Sequence, residues 1–145
     1  MGMKNFEELE CWKKATELRR KLSVLVQKFP EEEKYKLTDQ ILRASRSVTS
    51  NIAEGFGRYD YREYAHVCRL SRGSLFELMD HLIVARDEKY ISEQEFVEFK
   101  TEIQDCAIVL NGFINYLLKT KARSRGMFEE PELSYELVSQ LTFNN

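Results

Sequence analysis

The fold is decided by the stretch from Ser92 to Leu118, which reads SEQEFVEFKTEIQDCAIVLNGFINYLL. Apolar residues recur in it alternately three and four positions apart: Phe96, Phe99, Ile103, Cys106, Leu110, Phe113 and Leu117. This spacing keeps one stripe of a helix facing its neighbours, as in helical bundles. Ser92 and Glu95 have the spacing of a capping box, so we predict that a helix begins at this point.

Three earlier segments have the same apolar rhythm, and we predict helices over residues 5–28, 32–55 and 61–88. Only a few residues separate one segment from the next. Short links between long helices favour antiparallel neighbours. The sequence therefore predicts an all-α fold, an antiparallel up-down-up-down four-helix bundle, over residues 1–121.

Beyond residue 121 the composition changes. Residues 122–145 begin as a basic linker and continue as an acidic C-terminal tail. Apolar residues recur along the tail at helical spacing: Leu133, Leu137, Val138 and Leu141. This pattern suits either a short docking helix or a disordered end.

The composition limits the class of protein. The 145 residues include 22 Lys and Arg against 24 Asp and Glu, a net charge of −2. A chain of this length fits one domain, and its charge argues against binding nucleic acid by bulk electrostatics. No apolar run is long enough to span a membrane. Three widely spaced cysteines are typical of reduced thiols, so we expect a cytoplasmic location.

The second segment is unusually polar for a helix that must bury a stripe. Asn51 lies in register with the apolar Val48, Glu54 follows one turn later, and Gln40 precedes both. Together with Glu77 in the third segment, these residues are predicted to form a buried polar network that fixes the register of the bundle. The alternative is a ligand or nucleic-acid site.

Six arginines occupy the second and third segments and the link between them: Arg43, Arg46, Arg58, Arg62, Arg69 and Arg72. Their spacings within each segment place them on shared helix faces. Arginine binds phosphate through two parallel hydrogen bonds, so a local strip could contact a nucleic-acid backbone. Arginine binds carboxylates equally well, and internal or intersubunit ion pairs remain the alternative interpretation.

Two glycines lie inside predicted helices. Gly73 and Gly112 each cost about 1 kcal/mol of helix stability relative to alanine. We predict that they allow close packing of another helix, either of this subunit or of the next one.

Catalytic and metal-binding patterns are weak. A di-iron bundle needs two Glu-x-x-His pairs, and the sequence supplies only Glu63 with His66. Ser74, His66 and Asp80 lack a group that would activate the serine. We therefore expect no enzyme activity, no metal, no cofactor and no small-molecule substrate.

Several runs together resemble a known family. They are Phe6, Leu9, Trp12 and Ala15 at the start, Phe29-Pro30, SNIAEG at residues 50–55, and RGSLFEL at residues 72–78. Their order and spacing resemble the small four-helix bundle proteins encoded in intervening sequences of bacterial 23S rRNA genes. That family includes the accessory proteins of diversity-generating retroelements. The resemblance covers residues 6–121.

The resemblance implies a barrel-like homopentamer without enzyme activity. For the retroelement members it also implies a basic surface that contacts a reverse transcriptase and its template RNA. This chain departs from that pattern because its net charge is −2. We expect a nucleic-acid- or reverse-transcriptase-associated accessory protein that uses local arginines. The alternative is a structural or protein-interaction bundle that binds no nucleic acid.

Overall fold

A computed structural model describes residues 4–120, so the predicted linker and tail at 122–145 lie outside the described residues. The described part contains four α-helices and no strand. They are α1 (Glu10–Leu25), α2 (Leu37–Phe56), α3 (Tyr61–Asp87) and α4 (Glu93–Lys119). The prediction of an all-α fold with four helices is confirmed.

The predicted starts of α3 and α4 are confirmed. The Ser92 hydroxyl accepts the Glu95 backbone N–H at 3.0 Å, and the Glu95 carboxylate accepts the Ser92 N–H at 3.0 Å. This reciprocal pair satisfies two of the amides that every helix start leaves unpaired. At α3, the Asp60 side chain accepts the Glu63 N–H at 3.0 Å.

The first two helices are shorter than predicted. The ends of the predicted first helix are short 3₁₀ turns, Phe6–Glu8 and Val26–Lys28. The second helix was predicted from residue 32 but begins at Leu37. Lys36 breaks the helix with φ −121° and ψ −106°. The Glu33 carboxylate accepts the Leu37 N–H at 3.1 Å and the Tyr90 hydroxyl at 3.2 Å, which fixes this later start.

The core lies between the four helices. Helices α1 and α3 each pack against both α2 and α4. The apolar stripe predicted for α3 is wholly buried, since each member is 0% exposed: Tyr64, Cys68, Ser71, Leu75, Leu78, Leu82 and Ala85. In α4, Phe99 of the predicted stripe is half-buried and the other six residues are buried.

The prediction that Asn51 shares the buried register of Val48 is wrong. Asn51 is half-buried, and the core continues from Val48 to Ile52, which is 0% exposed. A step of four residues therefore replaces the predicted step of three. Within residues 4–120, no helix is both long and apolar enough to cross a bilayer.

Candidate nucleic-acid interface

Two of the six predicted arginines form exposed ion pairs with carboxylates four residues earlier in the chain. Arg43 Nε lies 2.9 Å from the Asp39 carboxylate, and Arg58 Nη2 lies 2.5 Å from the Glu54 carboxylate. The hydrogen bond that Arg58 donates to the Glu54 carboxylate, together with the negative charge of Glu54, raises the pKa of Arg58. Each pair neutralises a positive charge that a phosphate would otherwise meet.

Arg72 contributes to packing between helices. Its Nη1 donates to the Asn111 side-chain oxygen at 2.8 Å, which joins α3 to α4, and the residue is half-buried. A guanidinium held in this way stabilises the bundle through a charge-assisted hydrogen bond. The Arg72 side chain is thus directed toward α4, whereas Arg43 and Arg46 lie on α2.

The remaining three arginines are exposed and have no ion pair within residues 4–120. Arg62 and Arg69 lie seven residues apart on α3, a spacing that returns to the same helix face. Arg46 lies on the side of α2 that faces α1. In the protomer, three of the six predicted arginines thus contact other side chains, and Arg46, Arg62 and Arg69 are the exposed members without an ion pair within residues 4–120.

Two arginines that were not predicted lie beside Arg46. A cavity of about 220 Å³ between α1 and α2 is lined by Arg19, Arg20, Ser23, Leu42, Ser45 and Arg46. Arg19 Nη1 donates to the Thr49 hydroxyl at 2.9 Å, and that hydroxyl donates to the Arg46 carbonyl at 3.2 Å. In the sequence, the adjacent pair Arg19-Arg20 was the signal that could have indicated this cluster of arginines. Their place opposite Arg46 depends on how α1 and α2 are aligned, which the sequence does not specify.

The predicted polar network is wrong. Gln40, Glu54 and Glu77 are exposed, and Asn51 is only half-buried. Glu54 pairs with Arg58, and Glu77 contacts His81 at 3.2 Å. The predicted members therefore make separate local contacts. Surface exposure explains the error, because long polar side chains on the outer face of a helix remain in water.

A different polar cluster joins α2 to α3. The Ser47 and Ser74 hydroxyls lie 2.9 Å apart, and Asn51 Nδ2 donates to the Ser47 carbonyl at 2.9 Å. The buried Ser71 hydroxyl donates to the Val48 carbonyl at 2.8 Å. Paired serines at i, i+3 on α3 were a visible signal. Short hydroxyl side chains can be satisfied inside a closely packed helix pair.

The glycines differ in their surroundings. An added Cβ at Gly73 would meet no atom within 4 Å, so no helix of the described protomer packs closely on it. The part of the prediction that concerns the same subunit is therefore wrong, and a neighbouring subunit remains a prediction. Gly112 is buried in α4. At Gly55 the approach is close, because an added Cβ would lie 2.2 Å from Tyr64 Cδ2.

Cys11, Cys68 and Cys106 are buried. Desolvation raises the pKa of Cys68 and of Cys106 from 9.0 to about 12, so both remain protonated at neutral pH. A protonated thiol is a poor nucleophile and a poor metal ligand. No group of three His, Cys, Asp or Glu side chains within residues 4–120 is arranged to hold a metal ion.

Comparison with known proteins gives one family. A family model described as 23S rRNA-intervening sequence protein matches residues 7–112. The matched region runs from the first 3₁₀ turn into the last third of α4 and contains all the arginines discussed above. No curated protein matches the chain.

Proposed function

Because the chain belongs to the 23S rRNA-intervening sequence protein family, we propose that it is a non-catalytic accessory protein that associates with nucleic acid or a reverse transcriptase. Its contact residues are exposed arginines rather than the whole surface, since the net charge is −2. The protonated thiols of Cys68 and Cys106 support the absence of nucleophilic catalysis. Free buried cysteines also suit the cytoplasm, where thiols stay reduced.

The observation that carries this proposal is the pair Arg62 and Arg69. Both are exposed on α3, and neither has a carboxylate partner within residues 4–120. Uncompensated guanidinium groups on one helix face are suited to hydrogen bonds with the phosphate oxygens of a nucleic-acid backbone. Arg46 adds a third uncompensated charge on α2.

For the assembly, we propose an up-down-up-down bundle that forms a homopentamer. Contacts between neighbouring helices support an antiparallel arrangement. Along each pair of helices, the contacting residues have rising numbers on one helix and falling numbers on the other. Lys21 of α1 and Lys28 of the 3₁₀ turn that follows it pair with Glu102 and Glu95 of α4, respectively. Between α2 and α3, Ser71 contacts Val48, and Tyr64 lies against Gly55.

The nucleic-acid part is tested by fluorescence anisotropy with single-stranded RNA and duplex DNA across a salt series. We expect Arg62→Glu with Arg69→Glu to weaken binding and to lower the slope of log affinity against log salt by about 2. Lys13→Glu with Lys100→Glu changes the net charge equally at other exposed sites and serves as the control. Wild-type binding no better than millimolar at low salt would contradict the proposal, as would unchanged binding by the arginine variant.

A protein-interaction bundle is the second candidate, and the outer face of α3 favours it. Leu70, Phe76 and Val84 are 52%, 61% and 40% exposed there, and Gly73 lies between the first two. Grouped exposed apolar side chains mark protein contacts more often than nucleic-acid contacts. Failure to bind either nucleic acid, together with an intact oligomer, would favour this candidate.

A further inference from the structure

The cavity between α1 and α2 has an unusual concentration of positive charge. Three of its six lining residues are arginines, and no carboxylate is among the lining residues. Asp39, an acidic residue of α2, pairs with Arg43, which does not line the cavity. Arg19, Arg20 and Arg46 make no ion pair within residues 4–120.

The positions of these guanidinium groups are built into the packing. Thr49 is 4% exposed, and its hydroxyl accepts from Arg19 while donating to the backbone carbonyl of Arg46. Arg19 of α1 is therefore held against the turn of α2 that carries Arg46. Like charges placed together without a counter-charge repel one another, and an anion between them would remove that penalty.

The lining is suited to one ligand chemistry. Guanidinium groups match the oxygens of a tetrahedral phosphate through paired hydrogen bonds, and hydroxyls such as that of Ser23 add neutral donors. The volume of about 220 Å³ greatly exceeds the roughly 10–15 Å³ that one water needs. Arg20 and Ser23 are exposed, so the cavity can be reached from solvent.

We propose that Arg19, Arg20 and Arg46 form a phosphate-binding site between α1 and α2. The phosphate comes from a nucleic-acid backbone or from a free phosphate compound, and both sources present the same charged oxygens. Only the nucleic-acid source rests on the proposed function. This site is separate from Arg62 and Arg69, which lie on α3.

The test uses the full-length protein and two probes. Pyrophosphate binding is measured by calorimetry at constant ionic strength, and binding of a short single-stranded RNA is measured by anisotropy. We expect Arg20→Gln with Arg46→Gln to weaken pyrophosphate binding by about tenfold or more for each guanidinium removed. Lys13→Gln with Lys100→Gln removes the same charge from exposed positions elsewhere and should leave pyrophosphate affinity unchanged.

A second variant keeps the charge constant. Thr49→Val retains the size of the side chain but removes the acceptor that holds Arg19. We expect weaker pyrophosphate binding with all three arginines present, and circular dichroism reports whether the variant is folded. Wild-type protein that binds no pyrophosphate at millimolar concentration would overturn the site, as would equal affinity in the Arg20/Arg46 and lysine variants.

The two probes also separate this site from the proposed function. Pyrophosphate binding without RNA binding supports the site with a free phosphate compound as its source, and it contradicts the nucleic-acid proposal. RNA binding could instead survive Arg20→Gln with Arg46→Gln but be lost in Arg62→Glu with Arg69→Glu. That result would overturn the binding of a nucleic-acid phosphate at the α1–α2 site and would leave the proposed function standing.

Discussion

At the scale of single residues, Gly55 and Tyr64 determine how closely α2 approaches α3. The Tyr64 ring is 0% exposed and lies edge-on to Phe113, with 5.2 Å between ring centroids, and edge-on to Phe56. These ring contacts oppose movement of the Tyr64 ring away from Gly55. Position 55 therefore requires a residue without a side chain.

Alanine at this position gives the first prediction. The new Cβ in Gly55→Ala would lie 2.2 Å from Tyr64 Cδ2. Overpacking of this kind costs typically 1–3 kcal/mol, whereas the gain in helix propensity is about 1 kcal/mol. We expect a net loss of about 1 kcal/mol in the free energy of unfolding, and at most about 2 kcal/mol, measured with urea at a fixed protomer concentration.

Gly73→Ala is the matched control, because it makes the same change inside a helix with open space around it. We expect the protomer to gain about 0.5–1 kcal/mol. A Gly55→Ala protein as stable as Gly73→Ala would show that Tyr64 can move. The sequence shows that both positions are glycine but does not show which of them is covered by a neighbouring ring. That depends on the alignment of α2 and α3.

The buried thiol of Cys68 predicts a dependence on alkaline pH. Its pKa is raised from 9.0 to about 12 in the folded protein by desolvation. The unfolded thiol ionises first, so stability is present below pH 9 and is lost as pH rises toward 12, by about 1.4 kcal/mol per pH unit for each such thiol. We expect Cys68→Ala to flatten the fall of unfolding free energy over this range.

Comparison of the two proteins isolates that thiol, because every other ionisable group is present in both. The free energy of unfolding is measured by urea denaturation at intervals across the alkaline range. Parallel slopes for wild type and Cys68→Ala would contradict the prediction.

At the scale of elements, the helices that follow one apolar period throughout were predictable. The α3 stripe from Tyr64 to Ala85 is buried as predicted, because α3 packs against both α2 and α4. The start of α2 was not predictable. Residues 31–36 are charged or aromatic helix formers, and only the distant contact of Tyr90 with Glu33 shows why the helix begins at Leu37.

The end of α3 is a Schellman motif without glycine. The Tyr90 N–H donates to the Ala85 carbonyl and the Lys89 N–H to the Arg86 carbonyl, both at 2.9 Å. Lys89 has φ 62°, in the left-handed region where glycine is usual at this position. A side chain in that conformation costs roughly 1–2 kcal/mol.

Lys89→Gly is therefore expected to stabilise the protein by about 0.5–1 kcal/mol, after the larger entropy of unfolded glycine is subtracted. Lys100→Gly, at an exposed position inside α4, should instead destabilise it by about 1 kcal/mol. Thermal unfolding of both variants at one protein concentration provides the comparison. A loss of stability in Lys89→Gly would contradict this prediction. It would mean that the lysine side chain stabilises the protein by more than its left-handed backbone conformation costs.

At the scale of the whole molecule, the near-neutral total conceals an ordered distribution of charge. Residues 1–29 carry seven basic and four acidic side chains, and residues 92–120 carry two basic and five acidic ones. Ion pairs from Lys21 and Lys28 to α4 bring these regions together. Two of those five acidic side chains, Glu95 and Glu102, are thus matched with basic residues of the first region, and the exposed Arg46, Arg62 and Arg69 remain available to a partner. The sequence showed the imbalance, whereas the pairing needed the fold.

The proposed homopentamer gives the last prediction. Multi-angle light scattering should report about five times the 17.2 kDa mass of one chain. Phe76 is 61% exposed on α3, one turn from the open Gly73, and we expect a second copy to cover it. Burial of a phenylalanine contributes about 1.5–3 kcal/mol, so Phe76→Asp should shift the mass toward a single chain.

Tyr35→Asp is the control, because Tyr35 is 84% exposed but precedes α2 and lies off the α3 face. It should leave the mass unchanged. A wild-type mass of 17.2 kDa at micromolar concentration would contradict the oligomer itself. A pentamer that survives Phe76→Asp would instead place the subunit contact on another face. The apolar side chains of α3 would then be free for a different protein, as the second candidate function requires.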